Sequence, residues 1–302
     1  MTVTVLGSGT SHGIPVIKCG CPVCKSNDKH DIRRRASILV EENEGAAQAG
    51  SVTTVKDGIT VRKAAPANSG AVILVDAGCD FRMQMIEAKV NRLDAVFLTH
   101  SHADHLHGLD DIRPLTWDGT VPVYANALTI DELRTRFDYI FKETQKGGGK
   151  PDIRTEVISG TLSIGGISIE SVPVMHGTLV ILAYIFTHGS NSLAYITDCS
   201  GLPSGSENTI KKLAACQTLI LGALRKREHQ THFSFDQAFD FARELYQAGG
   251  NLRRVYLTHI SHETSHKKIT AYCNEFLRST PALRGLSIAP AYDMQKIIPD
   301  EI

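Results

Sequence analysis

Four side chains that can bind a metal fall within six residues of the sequence. His100, His102, Asp104 and His105 follow the apolar run Ala95–Leu98, which predicts a buried strand that leads into a helix over 105–112. Alternate residues of a strand share a face, so we expect His100 and His102 to lie together, with Asp104 and His105 directed to a second position. Imidazole and carboxylate ligands favour zinc, iron or manganese over calcium or magnesium.

Three further ligand-type residues each follow a predicted strand elsewhere in the chain, namely His176, Asp198 and His259. Functional groups of α/β proteins gather where strands end, because the loops there converge on one edge of the sheet. Two ions about 3.5–4 Å apart can share a hydroxide nucleophile and stabilise the leaving oxygen of a phosphoryl displacement. Seven ligands suit two such ions better than one, with His100, His102 and His176 on one ion, Asp104, His105 and His259 on the other, and Asp198 between them.

A loop rich in cysteine lies near the start of the chain. Cys19, Cys21 and Cys24 supply three thiolates, one ligand short of a closed tetrahedral zinc site, and three free thiols are the alternative. Seven cysteines, three of them in one loop, are typical of metal binding in a reducing compartment, so we expect a cytoplasmic protein. The basic run Lys25–Arg35 predicts a solvated surface.

The elements that must position these residues follow an α/β pattern. Helices are predicted at 81–89, 129–141, 235–248 and 267–278, and a capping box, Ser234 with Gln237, opens the third. Residues 41–70 predict an inserted loop or hairpin with a short strand at Ile59–Val61, within one α/β domain over 1–302. Strands are predicted at 2–6, 36–40, 71–78, 93–98, 121–124, 166–174, 180–186, 192–197, 218–221, 254–258 and 286–289.

The bulk composition restricts the class of partner. The 302 residues include 32 basic and 32 acidic side chains, and a net charge of zero opposes a general nucleic-acid binder with an extended binding track. No run of about 20 apolar residues is present, so we expect no membrane span, and the first residues predict a strand rather than a signal peptide. The sequence does not choose between a monomer and a homodimer.

The ordered motifs resemble those of the metallo-β-lactamase superfamily. Its signature His-x-His-x-Asp-His is present at 100–105, its later motif residues match His176, Asp198 and His259, and Asp76 stands where the family has an acidic residue at a strand end. The resemblance covers nearly the whole chain, with 41–70 as the departure. It implies an αββα sandwich and a dinuclear site that holds two divalent ions, zinc or manganese.

Within that superfamily, the sequence is similar to the branch that contains the phosphoribosyl cyclic phosphodiesterase of phosphonate breakdown. Gly7–Thr10, the cysteine loop and Thr258–His262 match that branch's early turn, thiolate loop and closing Thr-His-x-x-His. The resemblance implies that His262 completes a structural zinc site with Cys19, Cys21 and Cys24. It also implies a general acid at His232, with His229 as the rival. We expect Thr10, Ser11 and His12 to meet the substrate phosphate through the backbone of their turn, with His229 as a further substrate contact.

We therefore expect a metal-dependent phosphodiesterase that acts on a small cyclic phosphodiester or a nucleotide-like substrate. A tRNA 3′-processing nuclease is one alternative, although the sequence has no convincing counterpart of the basic arm found in those enzymes. A thioester or lactone hydrolase on the same fold is a second. A non-catalytic metal or nucleotide binder is a third, which the intact ligand set and the available acid oppose.

Overall fold

Two seven-stranded sheets form the centre of the protein in a computed structural model that describes residues 1–43, 70–143 and 149–299. The strands are β1 Thr2–Gly7, β2 Ser37–Glu41, β3 Val72–Val75, β4 Ala95–Phe97, β5 Val121–Ala125, β6 Ile153–Val157, β7 Thr161–Ile164, β8 Ile167–His176, β9 Leu179–His188, β10 Asn191–Ile196, β11 Thr218–Gly222, β12 Arg254–Thr258, β13 Ser287–Pro290 and β14 Gln295–Ile297. The first sheet has the order β14-β1-β2-β3-β4-β5-β6, and the second has the order β13-β12-β11-β10-β9-β8-β7.

Helices cover the outer face of each sheet. They are α1 Phe81–Glu87, α2 Ala103–Leu106, α3 Ala127–Arg136, α4 Asp138–Phe141, α5 Glu207–Ala214, α6 Phe235–Gly249 and α7 His266–Ser279, with 3-10 helices at Lys29–Asp31, Leu109–Thr116 and Pro281–Leu283. One apolar core lies between the sheets and two more lie between a sheet and its helices. In β3, for example, Ile73 and Val75 pack between the sheets, whereas Leu74 packs on the helical side. The architecture is the expected αββα sandwich.

Each sheet combines an antiparallel half with a parallel half. Strands β3 to β6 are parallel in the first sheet, and β10 to β13 are parallel in the second. Parallel neighbours need crossover connections, and these connections contain the helices. Because parallel strands end at the same edge, the residues that follow β3, β4, β10 and β12 meet at one end of the sandwich.

Helix α6 shows how local sequence sets an element. Its predicted capping box is confirmed, since the Ser234 hydroxyl accepts from the Gln237 N–H and the Gln237 side chain accepts from the Ser234 N–H. Its buried face includes Ala238, Ala242 and Leu245, four and three residues apart, and packs on the second sheet. Gly250 ends the helix at φ 68°, a conformation that glycine adopts without strain.

Several predictions about elements were wrong. The predicted helix at 129–141 is two helices with a break at Phe137, and the expected helix at 105–112 is the short α2 followed by a 3-10 helix. Four elements, α5, β6, β7 and β14, were not predicted from the sequence. The predicted hairpin at 41–70, including the strand at Ile59–Val61, lies outside the described residues except at its two ends.

The expectation of a solvated basic surface at Lys25–Arg35 was wrong for Arg33. Its side chain is fully buried and donates to the carbonyls of Ser261 and Thr264 at 2.7 and 3.1 Å and to Asp31 Oδ1 at 3.2 Å. Arg33 thus fixes the chain around His262. Among the described helices, none is long and apolar enough to cross a membrane.

Candidate metal centre

The strand ends bring the seven predicted ligands into two adjoining groups. His100, His102, His176 and Asp198 offer ligand atoms within 4.8 Å of one another, and so do Asp104, His105, Asp198 and His259. Asp198 belongs to both groups. All of these residues except His102 are buried, so the two groups form a polar pocket at the edge of an otherwise apolar sandwich.

Backbone conformation turns three acidic or imidazole side chains into this pocket. Asp76, Asp198 and His259 follow β3, β10 and β12 closely and adopt φ values of 63°, 50° and 56°. Asp and His enter this left-handed region more readily than most residues, and β-branched residues hardly enter it at all. Strain of this kind persists only where the surrounding structure fixes it, as at functional sites.

Asp198 presents one carboxylate oxygen to each group. Its Oδ1 lies 2.8 Å from His259 Nδ1 and 3.4 Å from His105 Nε2, whereas its Oδ2 lies 3.8 Å from His100 Nε2. A carboxylate in this position can bridge two cations.

Hydrogen bonds at Nδ1 orient three of the histidines. His176 Nδ1 lies 2.7 Å from the Thr231 carbonyl, His105 Nδ1 lies 2.8 Å from Asp76 Oδ2, and His100 Nδ1 lies 3.0 Å from Thr99 Oγ1. A proton on Nδ1 leaves Nε2 as the free lone pair, which is the usual arrangement of a metal-binding histidine. Each ring therefore directs Nε2 toward the pocket.

Asp76 supports both groups at once. Its carboxylate accepts from the Thr99 N–H at 2.8 Å and from the Thr99 hydroxyl at 2.9 and 3.0 Å, besides its contact with His105. Since the Thr99 hydroxyl donates to Asp76, its oxygen accepts from His100 Nδ1. Asp76 thus holds His105 directly and His100 through Thr99. This role of Thr99 is not visible in the sequence, because only the fold places its hydroxyl between Asp76 and His100.

Charge is concentrated in the pocket. Burial raises the pKa of Asp198, but the imidazoles of His259 and His105 outweigh burial and hold that pKa well below its ordinary value. Burial lowers the pKa of His105, yet Asp198, Asp104 and Asp76 together raise it well above its ordinary value. Burial and the neighbouring His105 lower the pKa of His100, which favours the neutral imidazole that binds metals. Three carboxylates around one imidazole are an excess of negative charge that suits cations.

The geometry fits divalent ions. The Nε2 atoms of His100 and His105 are buried without a hydrogen-bond partner among the described residues, an arrangement that is costly unless another group binds them. His105 Nε2 lies 3.2 Å from Asp104 Oδ2 and 3.4 Å from Asp198 Oδ1. Two ligands at about 2.1 Å from one ion, at a tetrahedral angle, stand about 3.4 Å apart. These side chains are therefore able to hold two divalent cations.

The cysteine loop and His262 form a separate group. His262 Nδ1 lies 3.3, 3.5 and 3.6 Å from the sulfur atoms of Cys19, Cys21 and Cys24. Zinc bonds of about 2.3 Å to sulfur and about 2.0 Å to nitrogen at tetrahedral angles separate such atoms by about 3.5 Å. The Cys24 N–H lowers the pKa of Cys21 to about 6, and burial raises the pKa of Cys24 to about 11. The four donors match a tetrahedral Cys₃His zinc site.

His232 lies beside the pocket in a half-buried position. Its Nε2 is 3.3 Å from Asp198 Oδ2, and its Nδ1 is 2.8 Å from the Thr231 hydroxyl and 3.1 Å from His229 Nδ1. Burial lowers the pKa of His229, with His232 as the second cause. The His232 ring lies between His229 and the Asp198 carboxylate, so His229 is positioned to support His232 and not to reach the carboxylate itself.

The residues of the early turn take different positions. Thr10 is buried, and its hydroxyl lies 3.0 Å from His259 Nε2, so its side chain contacts a residue of the pocket, while the expected backbone contact with substrate stays a prediction. Ser11 and His12 are exposed, and the Ser11 carbonyl accepts from Arg35 Nε at 3.1 Å. Of these three residues, Thr10 is therefore the one whose side chain hydrogen-bonds to a proposed metal ligand.

Comparisons with known proteins identify the family and the fold of the chain. The family model for the beta-lactamase superfamily domain matches residues 72–260. A crystal structure of a diphosphatase from the PhnP family superposes with a TM-score of 0.76 at 32% identity, covering 98% of this chain and 97% of that one.

Two curated relatives are similar over more limited stretches. An octanoyltransferase of Porphyromonas gingivalis is 34% identical over 271 residues, which are 87% of this chain but only 46% of that protein. The exodeoxyribonuclease WalJ of Streptococcus pneumoniae is 27% identical over 220 residues, 65% of this chain and 76% of that protein. The chain thus spans less than half the length of the first of these relatives.

Proposed function

The chain belongs to the β-lactamase superfamily and, within it, to the PhnP family of metal-dependent hydrolases. From that premise we propose that it is a dinuclear phosphodiesterase for small phosphodiester or nucleotide-like substrates. One observation carries the proposal. Two groups of four ligand-type side chains share Asp198, whose two carboxylate oxygens face different groups. Such an arrangement suits a displacement at phosphorus, where attacking and leaving oxygens both need stabilisation.

In this proposal the chain's own residues hold the cations and position the substrate. His100, His102 and His176 would hold one ion and Asp104, His105 and His259 the other, and Asp198 belongs to both groups of ligands. Two divalent ions, when bound there, activate water and polarise the phosphoryl oxygens. Asp76, Thr99 and the Thr231 carbonyl fix the imidazoles, so the site is organised before substrate arrives.

His232 is the proposed general acid. Its Nε2 reaches the edge of the pocket beside Asp198 Oδ2, and its Nδ1 is held by Thr231 and His229. A proton on Nε2 would lie at this edge of the pocket, where the proposal places the leaving alkoxide. Histidine suits this step because its ordinary pKa lies near neutrality.

The relatives support chemistry at phosphorus. A diphosphatase and an exodeoxyribonuclease are both named for cleavage of bonds to phosphorus. Acyl transfer is not carried over from the octanoyltransferase, because more than half of that protein lies outside the match. The balanced charge of 32 basic and 32 acidic residues favours a small substrate over a long nucleic acid.

The proposal is tested with His232→Gln on two diesters whose leaving groups differ. Bis-p-nitrophenyl phosphate releases a stable phenolate and needs little acid catalysis, whereas an alkyl diester releases a basic alkoxide. We expect kcat of the variant to fall about 10²- to 10⁴-fold on the alkyl diester and only a few-fold on the aryl one. His188→Gln, a half-buried histidine beside Glu42 on the far end of β9, is the matched control.

Two results would contradict the proposal. An equal loss on both diesters would remove His232 from the acid role. Faster turnover of a thioester or a lactone than of any phosphodiester by the zinc- or manganese-loaded protein would refute the reaction class, and faster turnover of a precursor tRNA would refute the assignment of a small substrate. Precursor tRNA and a thioester therefore belong in the same substrate panel.

A further inference from the structure

Residues 225–232, the acid loop, lie between β11 and α6 and end in the proposed general acid His232. The backbone closes this loop at its base, since the Leu224 N–H donates to the Phe233 carbonyl at 2.9 Å. The position of His232 therefore depends on what holds the loop away from its base. The chemistry proposed above uses none of the three basic residues that begin the loop, Arg225, Lys226 and Arg227.

Glu263 accepts hydrogen bonds from two of these basic residues. Its Oε1 lies 3.0 Å from Arg225 Nη1, and both of its carboxylate oxygens lie 3.2 Å from Arg227 Nη2. Arg225 is the more firmly held of the two, because its side chain is 25% exposed, against 75% for Arg227, and its Nη2 also lies 3.5 Å from the Glu228 carbonyl. One carboxylate thus contacts the acid loop at two residues.

Glu263 belongs to a segment that is itself well anchored. It directly follows His262, the nitrogen donor of the Cys₃His group, and its N–H donates to the Ser261 hydroxyl at 3.3 Å. The Ser261 N–H in turn donates to the Leu224 carbonyl at 2.9 Å, at the base of the acid loop. The carboxylate therefore has a fixed origin from which it can hold the loop.

The other end of the acid loop packs against the ligand pocket. The Thr231 carbonyl lies 2.7 Å from His176 Nδ1, and a β-carbon at Gly177 would lie only 2.8 Å from the Thr231 side chain. His232, the next residue, places Nε2 at 3.3 Å from Asp198 Oδ2. The acid loop is thus held by Glu263 near its start and fits closely at the pocket near its end.

We propose that Glu263 is a positioning residue for the general acid: by binding Arg225 and Arg227, it keeps the acid loop where His232 Nε2 can reach the leaving oxygen of the substrate. The inference rests on the proposed function, since it takes His232 to be the acid. It gives the segment after β12 a third task, because Glu263 follows His259 at the pocket and His262 at the cysteine loop.

Glu263→Gln tests this role on the two diesters used for His232→Gln. The substitution keeps the shape of the side chain and removes its charge. Two ion pairs of this exposure together change an equilibrium by about two- to thirtyfold. We therefore expect kcat of the zinc-loaded variant to fall about three- to thirtyfold on the alkyl diester and less than twofold on the aryl diester, with KM unchanged on both.

The sharpest measurement combines this variant with His232→Gln. If Glu263 acts through His232, the double variant should be no slower on the alkyl diester than His232→Gln alone. Multiplied losses in the double variant would overturn the inference, because Glu263 would then act by another route. Arg225→Gln removes the same contact from the side of the loop, so it should reproduce the loss even where Glu263→Gln also releases zinc from His262. An unchanged kcat in Arg225→Gln would overturn the inference as well.

Glu170→Gln is the matched control. Glu170 is 31% exposed, close to the 33% of Glu263, and it lies 2.6 Å from Lys212 Nζ. Glu170 lies on β8 and Lys212 on α5, so this ion pair joins two elements other than the acid loop. We expect kcat within about twofold of the wild-type value on both diesters. A loss on the alkyl diester as large as that of Glu263→Gln would contradict the proposed role.

Hydrogen exchange separates this inference from the proposed function. The Phe233 N–H donates to the Cys199 carbonyl at 2.6 Å, so exchange in peptides that span 225–235 reports how firmly the acid loop is held. Faster exchange there in Glu263→Gln but not in Glu170→Gln, with no phosphodiester hydrolysed by the wild-type protein, would support Glu263 as the holder of the loop and refute the phosphodiesterase. A leaving-group effect that depends on His232 but not on Glu263, with unchanged exchange, would support the phosphodiesterase and refute the role of Glu263.

Discussion

Asp76→Asn tests whether one carboxylate organises both proposed ion sites. Asp76 accepts from His105 Nδ1 and, through the Thr99 hydroxyl, supports His100. An asparagine has one oxygen and one NH₂ group at this position. Either the donors of Thr99 or the Nδ1 proton of His105 would then face an amide hydrogen. The variant therefore loses at least one buried hydrogen bond to a charged acceptor.

The size of the effect follows from that loss. A hydrogen bond to a charged group contributes about 1.5–3 kcal/mol, which corresponds to about 10- to 150-fold in an equilibrium constant. The same range is typical when the carboxylate behind a metal-binding histidine is removed. We expect zinc affinity to fall by about this factor, more at the group that contains His105, which Asp76 contacts directly, than at the group that contains His100.

Competition with a chromophoric chelator measures both affinities, and circular dichroism verifies that the variant is folded. Asp80→Asn is the control, because Asp80 contacts Arg35 at 2.9 and 3.1 Å and makes no hydrogen bond to a histidine among the residues that the structure describes. Zinc affinity within about twofold of the wild-type value in folded Asp76→Asn would refute the reasoning. An equal loss in Asp80→Asn would refute it too, since the effect would then not depend on the contact with His105.

Two further variants separate the remaining roles. Cys21→Ser is expected to remove one zinc equivalent and to lower the thermal midpoint while affecting kcat less, because the Cys21 sulfur lies 3.5 Å from His262 Nδ1 in the Cys₃His group. A variant that keeps its full zinc content would contradict this expectation. The control is Cys79→Ser, at an exposed cysteine. Thr10→Val removes the hydroxyl from His259 Nε2 and should weaken metal binding about tenfold with KM unchanged, whereas a raised KM with full metal content would make Thr10 a substrate contact.

The sequence predicted the buried elements well and the edges poorly. Strands β3, β10, β11 and β12 are interior, and their apolar runs are unambiguous because both faces are covered. The three strands that were not predicted, β6, β7 and β14, all lie at sheet edges. Edge strands are short or half exposed, so their side chains show only a weak pattern.

The ligand set could be predicted because residue type alone shows whether a side chain is able to bind a metal ion. Imidazoles and carboxylates at strand ends are visible one by one, and the structure brings all seven together. The supporting contacts could not be predicted in the same way. Thr99 and Arg33 act through partners 23 and 228 residues away, Asp76 and Ser261, so their roles exist only in the folded chain. Nothing in the basic run distinguishes the buried Arg33 from the partly exposed Arg34 and Arg35 beside it.

The position of β12 links the two proposed metal sites through the backbone. His259 and His262 are three residues apart, yet one faces Asp198 and the other faces the cysteine loop. The chain between them is held on both sides, since the Ile260 N–H donates to the Ser8 carbonyl at 2.9 Å and Arg33 donates to the Ser261 carbonyl at 2.7 Å.

These contacts also explain how His259 keeps its left-handed conformation. A non-glycine residue at φ 56° carries strain of about 1–3 kcal/mol and would relax unless its neighbours were fixed. The next three residues are fixed by Ser8, Arg33 and the cysteine loop in turn. A zinc ion at the cysteine loop would therefore do more than stabilise that loop. It would also hold in place the segment that directs His259 into the pocket. The distance between the two sites along the chain, three residues, is short enough that loss of one should loosen the other.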